Sequence, residues 1–191
     1  MKNLPDNSLW FSFISGNDAS FTILFKRYYP YLHNYGLKLC GNINLTEDSL
    51  QEFFLYLYEK RNSLSAIHNF KTYLFVSYRR KLLESIKKTT EQQYVDIENV
   101  YVSDIEFSHE EIMIQKEFTA IKAKKLADIL NNLSARQKEI IYLKYYSDLS
   151  NAQIAEVTGL NYQSVLNTLQ KAFLKIRKAY EATLVAKILE N

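Results

Sequence analysis

Apolar residues recur along most of the chain at three- and four-residue spacing, the period of a helix with one buried face. No long Val/Ile/Thr alternation marks a strand. Leu9, Trp10, Phe13 and Ile14 predict a short helix that stops near Gly16. Asp18 is the candidate cap of a second helix, with Phe21, Leu24, Phe25, Tyr28 and Tyr29 at helical spacing. Pro30 inside this pattern predicts a kink or break. Tyr31, Leu32, Tyr35, Leu37 and Leu39 carry the pattern on to Gly41. Thr46 is the candidate cap of a helix reaching about Arg61. Its buried stripe is Leu50, Phe53, Phe54 and Leu57, and Asp48, Gln51, Glu52 and Glu59 lie on the other side. After a polar connector, a helix from Phe70 to about Lys88 uses Tyr73, Leu74, Leu82, Leu83 and Ile86 for packing.

Periodicity fades between Thr89 and Phe107, which is polar and acidic and reads as a flexible linker. Fully extended, such a segment reaches about 65 Å. A final unit follows. Residues 108–131 carry Ile112, Phe118, Ile121, Leu126, Ile129 and Leu130, and Ser134 and Gln137 form a candidate capping box before Ile140, Ile141 and Leu143. Ser150 and Gln153 form a second box, opening a short helix with Ile154, Ala155 and Val157 on its apolar side. Gly159 can take the left-handed conformation that ends it. Asn161 can cap a last helix whose apolar face is Val165, Leu169, Ala172, Phe173 and Ile176. Helix, glycine turn and helix make a helix-turn-helix pattern. An ordinary helical hairpin would look the same, so the polar face must decide.

That face carries Gln163, Ser164, Asn167, Thr168 and Gln170, followed by Lys171, Lys175, Arg177 and Lys178. Asn and Gln can make paired hydrogen bonds to adenine, and Thr can meet a thymine methyl. The cations suit phosphates. Elsewhere the charge is segregated too. Residues 61–88 contain Lys71, Arg79, Arg80, Lys81, Lys87 and Lys88 against the single acid Glu84. Residues 89–114 contain Glu91, Asp96, Glu98, Asp104, Glu106, Glu110 and Glu111 and no Lys or Arg. Two basic blocks around an acidic one predict two nucleic-acid-facing parts and a different joint. Tyr73 and Phe75, beside the first basic block, suit the stacking of unpaired bases.

Composition narrows the class. With 47% hydrophobic residues in 191, a packed core is expected, and four Gly and two Pro favour an all-α chain. Cys40 is the only cysteine, which excludes an internal disulfide and fits a reducing cytoplasm. No apolar run reaches membrane-spanning length and the start lacks a signal-peptide pattern, so no direct membrane insertion is expected. His33, His68 and His109 are isolated, and no Walker-type glycine loop occurs. An enzyme, a metal site or a cofactor is therefore not expected.

The chain resembles an extracytoplasmic-function sigma factor of bacterial RNA polymerase over roughly Asp18 to Tyr180. FTILFKRYYPY, from Phe21, is similar to the opening of the family's region 2. TEDSLQEFFLYL, from Thr46, resembles its acidic polymerase-binding helix, and FKTYLFVSYRRKLL, from Phe70, its promoter-melting helix. LSARQKEIIYLKY and IAEVTGLNYQSVLNTLQKAFLKIRK resemble region 4. The resemblance implies two small helical domains, region 2 at residues 9–88 and region 4 at residues 108–181, joined by the linker at 89–107. It implies that Asp48, Gln51 and Glu52 face the clamp of the polymerase's beta-prime subunit. It assigns Phe70, Lys71, Tyr73, Arg79, Arg80 and Lys81 to the unpaired minus-10 strand. Gln163, Ser164, Asn167, Thr168, Lys171 and Arg177 would meet the minus-35 duplex. Core polymerase, promoter DNA and an anti-sigma factor are the implied partners. Leu166 and Thr168 stand where family members often carry basic residues, and Arg80 where Asn is common. This amide-rich readout surface predicts a preference for A·T-containing sites. A helix-turn-helix regulator that works without polymerase is the alternative, and the region-2 half argues against it.

Overall fold

The expected helices form, and no strand occurs among the described residues of the computed structural model. It describes residues 4–89, 105–115 and 119–189, with side chains for all of these except 113–115 and 182–189. Most of the acidic linker therefore lies outside the described residues, as does Phe118. The chain divides into two units, residues 1–101 with 156–159 and residues 102–155 with 160–191.

The first unit is built on α1 (Asp6–Ile14), α2 (Asp18–Cys40), α3 (Ile43–Glu59) and α4 (Phe70–Thr89), with a 3-10 turn at Arg61–Ser63. Helix α2 packs on α1, α3 and α4, and α3 packs on α4. Two start signals differ from the sequence reading. Asn17, not Asp18, caps α2, its side chain accepting from the Ser20 N–H at 3.1 Å. Asn42, not Thr46, caps α3, accepting from the Leu45 N–H at 3.0 Å. Thr46 lies inside α3, fully buried, its hydroxyl donating back to the Asn42 carbonyl at 2.8 Å. Helix α2 also continues through Pro30 instead of breaking there. Pro30 is exposed while Leu24, Tyr28, Leu32 and Tyr35 are buried. The carbonyl that loses its partner belongs to Lys26, an exposed residue, where water can satisfy it.

Trp10 explains why α1 belongs to this unit. Its ring lies 5.1 Å from Phe70 and 5.5 Å from Phe13 and Tyr73, and its indole N–H donates to the Ser65 carbonyl at 3.1 Å. Asn7 adds a second clamp, donating to the His68 carbonyl at 2.7 Å. Asp6 accepts from Arg27 and from the Tyr28 hydroxyl. Helix α1 therefore pins the connector that leads into α4. Truncating a buried aromatic of this kind costs about 3–5 kcal/mol, so α1 is core and not an accessory arm.

The second unit contains α5 (His109–Gln115), α6 (Ala120–Asn131), α7 (Ala135–Tyr145), α8 (Asn151–Thr158) and α9 (Tyr162–Leu189), though the unit boundary cuts α8. Ser134 and Gln137 form the expected capping box of α7, and α9 packs on α6 and α7. Ile140 and Leu143 are fully buried and Ile141 nearly so. Two details depart from the pattern. Helices α5 and α6 lie within 108–131, and Ile121, read as a packing residue, is 75% exposed at the start of α6. Phe107, the last residue of the expected linker, is buried against Tyr146 with ring centroids 5.6 Å apart. Its backbone bonds both ways with the Asn131 side chain, at 2.8 and 3.1 Å.

Candidate nucleic-acid interface

Local chemistry builds the helix-turn-helix. The Ser150 N–H donates to Gln153 Oε1 at 2.8 Å, and the Gln153 N–H donates to Ser150 Oγ at 3.2 Å, closing the capping box of α8. Gly159 ends the helix with φ +73°, a left-handed conformation that a side chain would strain. Asn161 then caps α9, accepting from the Ser164 N–H at 2.7 Å. Val165 and Ala172 are fully buried and Leu169 nearly so, which turns the opposite side of α9 outward.

Gln163 and Asn167, one helical turn apart, are exposed on that outer side. The Gln163 Nε2 donates to Asn167 Oδ1 at 3.1 Å. This bond restrains both amides and leaves each one with free donor and acceptor positions for a base edge. Ser164 and Thr168 are half-buried, and the Thr168 hydroxyl donates to the Ser164 carbonyl at 2.7 Å. Lys171 is exposed one turn beyond Asn167. Arg177 is exposed farther along, where its Nε donates to Glu181 at 2.8 Å, so its charge is partly met within the helix. The carboxylate beside it raises the guanidinium's affinity for its proton.

The second surface lies between α3 and α4. A groove there is lined by Phe53, Tyr56, Tyr73, Arg80, Lys81 and Glu84, among others. Tyr73 is half-buried beside Trp10, and burial pushes its phenol above the usual range, so it stays neutral. Arg80 is exposed and bonded to Glu84 at 3.2 Å, while Lys81 is bonded to Glu52 across the groove at 2.6 Å. Rings for stacking and cations for phosphate thus share one channel, the combination that unpaired nucleic acid requires. On the outer face of α3, Asp48, Gln51 and Glu52 are exposed in one row with Leu55, itself 53% exposed. An acidic row with an apolar member suits a protein partner.

Not every expected contact residue reaches these surfaces. Phe70 is 2% exposed, with its ring tilted against Trp10 and edge-on to Tyr28. Phe75 is fully buried, and Arg79 is 9% exposed. These three sit with Leu74, Tyr78 and Leu82 on the inner face of α4. Helical rotation, not residue type, removes them from a strand's reach in this structure. Lys71 is half-exposed at the start of α4. Tyr56, 51% exposed on the groove, was not singled out by the sequence reading. Its place three residues after Phe53 and four after Glu52, at the edge of the buried stripe, was the available signal.

Two family models match parts of the chain. Residues 24–92 match the family model for sigma-70 region 2, and residues 123–176 match that for sigma-70 region 4. The chain is similar to the RNA polymerase sigma factor YlaC of Bacillus subtilis strain 168, at 20% identity over 156 residues, 81% of this chain and 88% of that protein. Its fold is similar to that of CnrH, solved in complex with the cytosolic domain of CnrY, with a TM-score of 0.58, 17% identity and coverage of 93% and 97% of the two chains. It is also similar to the sigma factor RpoE of Bartonella quintana, solved with the anti-sigma factor NepR, with a TM-score of 0.57, 18% identity and coverage of 84% and 96%. At these identities the two structures bear on the fold alone. The region-2 match contains the cationic groove and the region-4 match contains the paired amides, and the chain belongs to the sigma-70 family of sigma factors.

Proposed function

We propose that the chain directs bacterial RNA polymerase to specific promoters and starts transcription there, acting as a binding subunit and not as a catalyst. Residues 9–88 would latch to the polymerase and hold the melted minus-10 strand, and residues 108–181 would read the minus-35 duplex. The carrying observation is the groove between α3 and α4, where Tyr56, Tyr73, Arg80 and Lys81 lie beside an exposed acidic row. A regulator that only reads duplex has no use for such a channel. In this reading Asp48, Gln51 and Glu52 meet the beta-prime clamp. Lys71, Tyr73, Arg80 and Lys81 serve the single strand. Gln163, Ser164, Asn167, Thr168, Lys171 and Arg177 serve the duplex. Control by an anti-sigma factor belongs to the same proposal, since the similar RpoE was solved with one. Among the described residues no helix is long and apolar enough to cross a membrane.

The test is in vitro transcription with purified core polymerase on a library of random promoters. Enriched starts sharing an upstream and a minus-10 element are expected. Sequence-specific duplex binding by the free chain, without co-purification with core polymerase, would reject the reading in favour of an independent regulator.

A further inference from the structure

Both cations of the α3–α4 groove are already occupied by carboxylates. Arg80 is met by Glu84 from its own helix, at 3.2 Å. Lys81 is met by Glu52 from α3, at 2.6 Å. The two partners differ in what else they touch. Glu84 lines the groove itself. Glu52 belongs to the exposed row with Asp48 and Gln51 that a protein partner would cover. We infer that Glu52 is an internal occupant of the single-strand site, which holds Lys81 in the free chain and yields it to a DNA phosphate when polymerase engages α3. The inference rests on the proposed docking of α3 on polymerase.

The physical basis is competition for one ammonium group. Glu52 and a backbone phosphate are both anions drawn to the Lys81 Nζ. The ammonium has three donors, but a carboxylate at 2.6 Å repels a phosphate brought to the same group and offsets part of its charge. The pairing is strong enough to hold the Glu52 carboxyl below the usual range, chiefly through the hydrogen bond from Lys81 and then through its charge, with Lys88 adding a little. A polymerase group that bonds Glu52 withdraws it from Lys81. Linkage then runs both ways: polymerase tightens the grip on the strand, and the strand tightens the grip on polymerase by the same factor. Glu52 is 63% exposed and Lys81 32% exposed at the side chain. The coupling is therefore modest, about two- to fivefold, the range of an exposed ion pair. A modest factor is useful here, because it biases a free subunit away from single strands without weakening the loaded enzyme.

A general effect of net charge is the main competing explanation, since neutralising any acid strengthens DNA binding somewhat. The experiment separates the two. Fluorescence anisotropy of a labelled oligothymidine is measured with the full free chain and its variants Glu52→Gln, Glu84→Gln, Lys81→Gln and the double variant Glu52→Gln/Lys81→Gln. The same variants are then measured with saturating core polymerase on a pre-melted promoter. In the free chain Glu52→Gln should tighten binding by about two- to fivefold, and that gain should vanish in the Lys81→Gln background. With polymerase present the gain from Glu52→Gln should disappear, because Lys81 is already released, while the gain from Glu84→Gln persists. A Glu52→Gln gain that survives in the Lys81→Gln background, that is equal with and without polymerase, or that is absent would overturn the inference. Failure of the parent reading shows separately, as a wild-type chain that starts transcription at no promoter.

Discussion

A methyl carbon added at Gly36 would sit 2.1 Å from the Tyr78 hydroxyl and 3.0 Å from both Tyr78 Cζ and Thr46 Cγ2. Tyr78 is fully buried, so its ring has nowhere to retreat. Gly36→Ala should therefore destabilise the first unit by about 1–3 kcal/mol, the usual cost of overpacking a core. A Tyr78→Phe background should recover part of the loss by removing the nearest atom, and urea unfolding of the wild type, the two single variants and the double variant measures both. An Ala substitution without cost would mean that α2 and α4 approach less closely than described. Nothing local in the sequence marks Gly36, because the demand comes from a tyrosine far along the chain. Gln163 and Asn167 are the opposite case. Their chemistry and spacing were visible in the sequence, and the structure adds the 3.1 Å bond that restrains them as a pair. Replacing either by Ala should relax base choice at the upstream element by about 1–3 kcal/mol. A selection of binding sites with polymerase present measures this, and equal weakening on every sequence would assign the two amides to general binding.

At the scale of elements, the helices and their buried stripes were legible, and their starts were less so. Asn17 and Asn42 each precede the expected cap, Asp18 and Thr46, and the choice depends on which residue leaves the helix path first. Pro30 was a break signal overruled by long-range packing of α2 on three helices. Helix α4 shows the same limit for function. Its basic and aromatic residues were visible, but Phe70, Phe75 and Arg79 fall on the inner face, and rotation about a helix axis is decided by its neighbours. In the second unit, Tyr146 offers a check on packing between elements. It stacks on Tyr142 at 5.1 Å, and burial first, then the Glu111 carboxylate, pushes its phenol up to about 12. A raised folded value means that the neutral phenol is the stabilised form. Its contribution is complete below the unfolded value near 10 and is lost as pH rises from there through about 12. Burial raises Tyr142 in the same direction. The unit should therefore lose stability over this alkaline window, and Tyr146→Phe should flatten the loss when unfolding is followed against pH. An unchanged alkaline profile would show that Tyr146 is solvated.

Across the whole molecule, the proposed function gives two kinds of nucleic acid different cations, and salt distinguishes them. Each phosphate neutralised on duplex DNA steepens the fall of log affinity with log salt by about 0.9, against about 0.7 on a single strand. Lys171 stands exposed one turn past the paired amides, on α9. Lys81 stands in the groove between α3 and α4. With core polymerase present, Lys171→Gln should weaken binding to a fully duplex promoter almost equally on all sequences and reduce the salt slope by about one. It should matter less on a short pre-melted fragment that ends before the upstream element. Lys81→Gln should do the reverse, leaving the closed duplex complex nearly intact and shallowing the salt dependence on the pre-melted fragment. The sequence already suggested two basic blocks around an acidic stretch, but not which lysines remain outside once the helices pack. If the two substitutions shift both templates alike, the two surfaces do not divide the promoter between them, and a single diffuse cationic field would account for the binding.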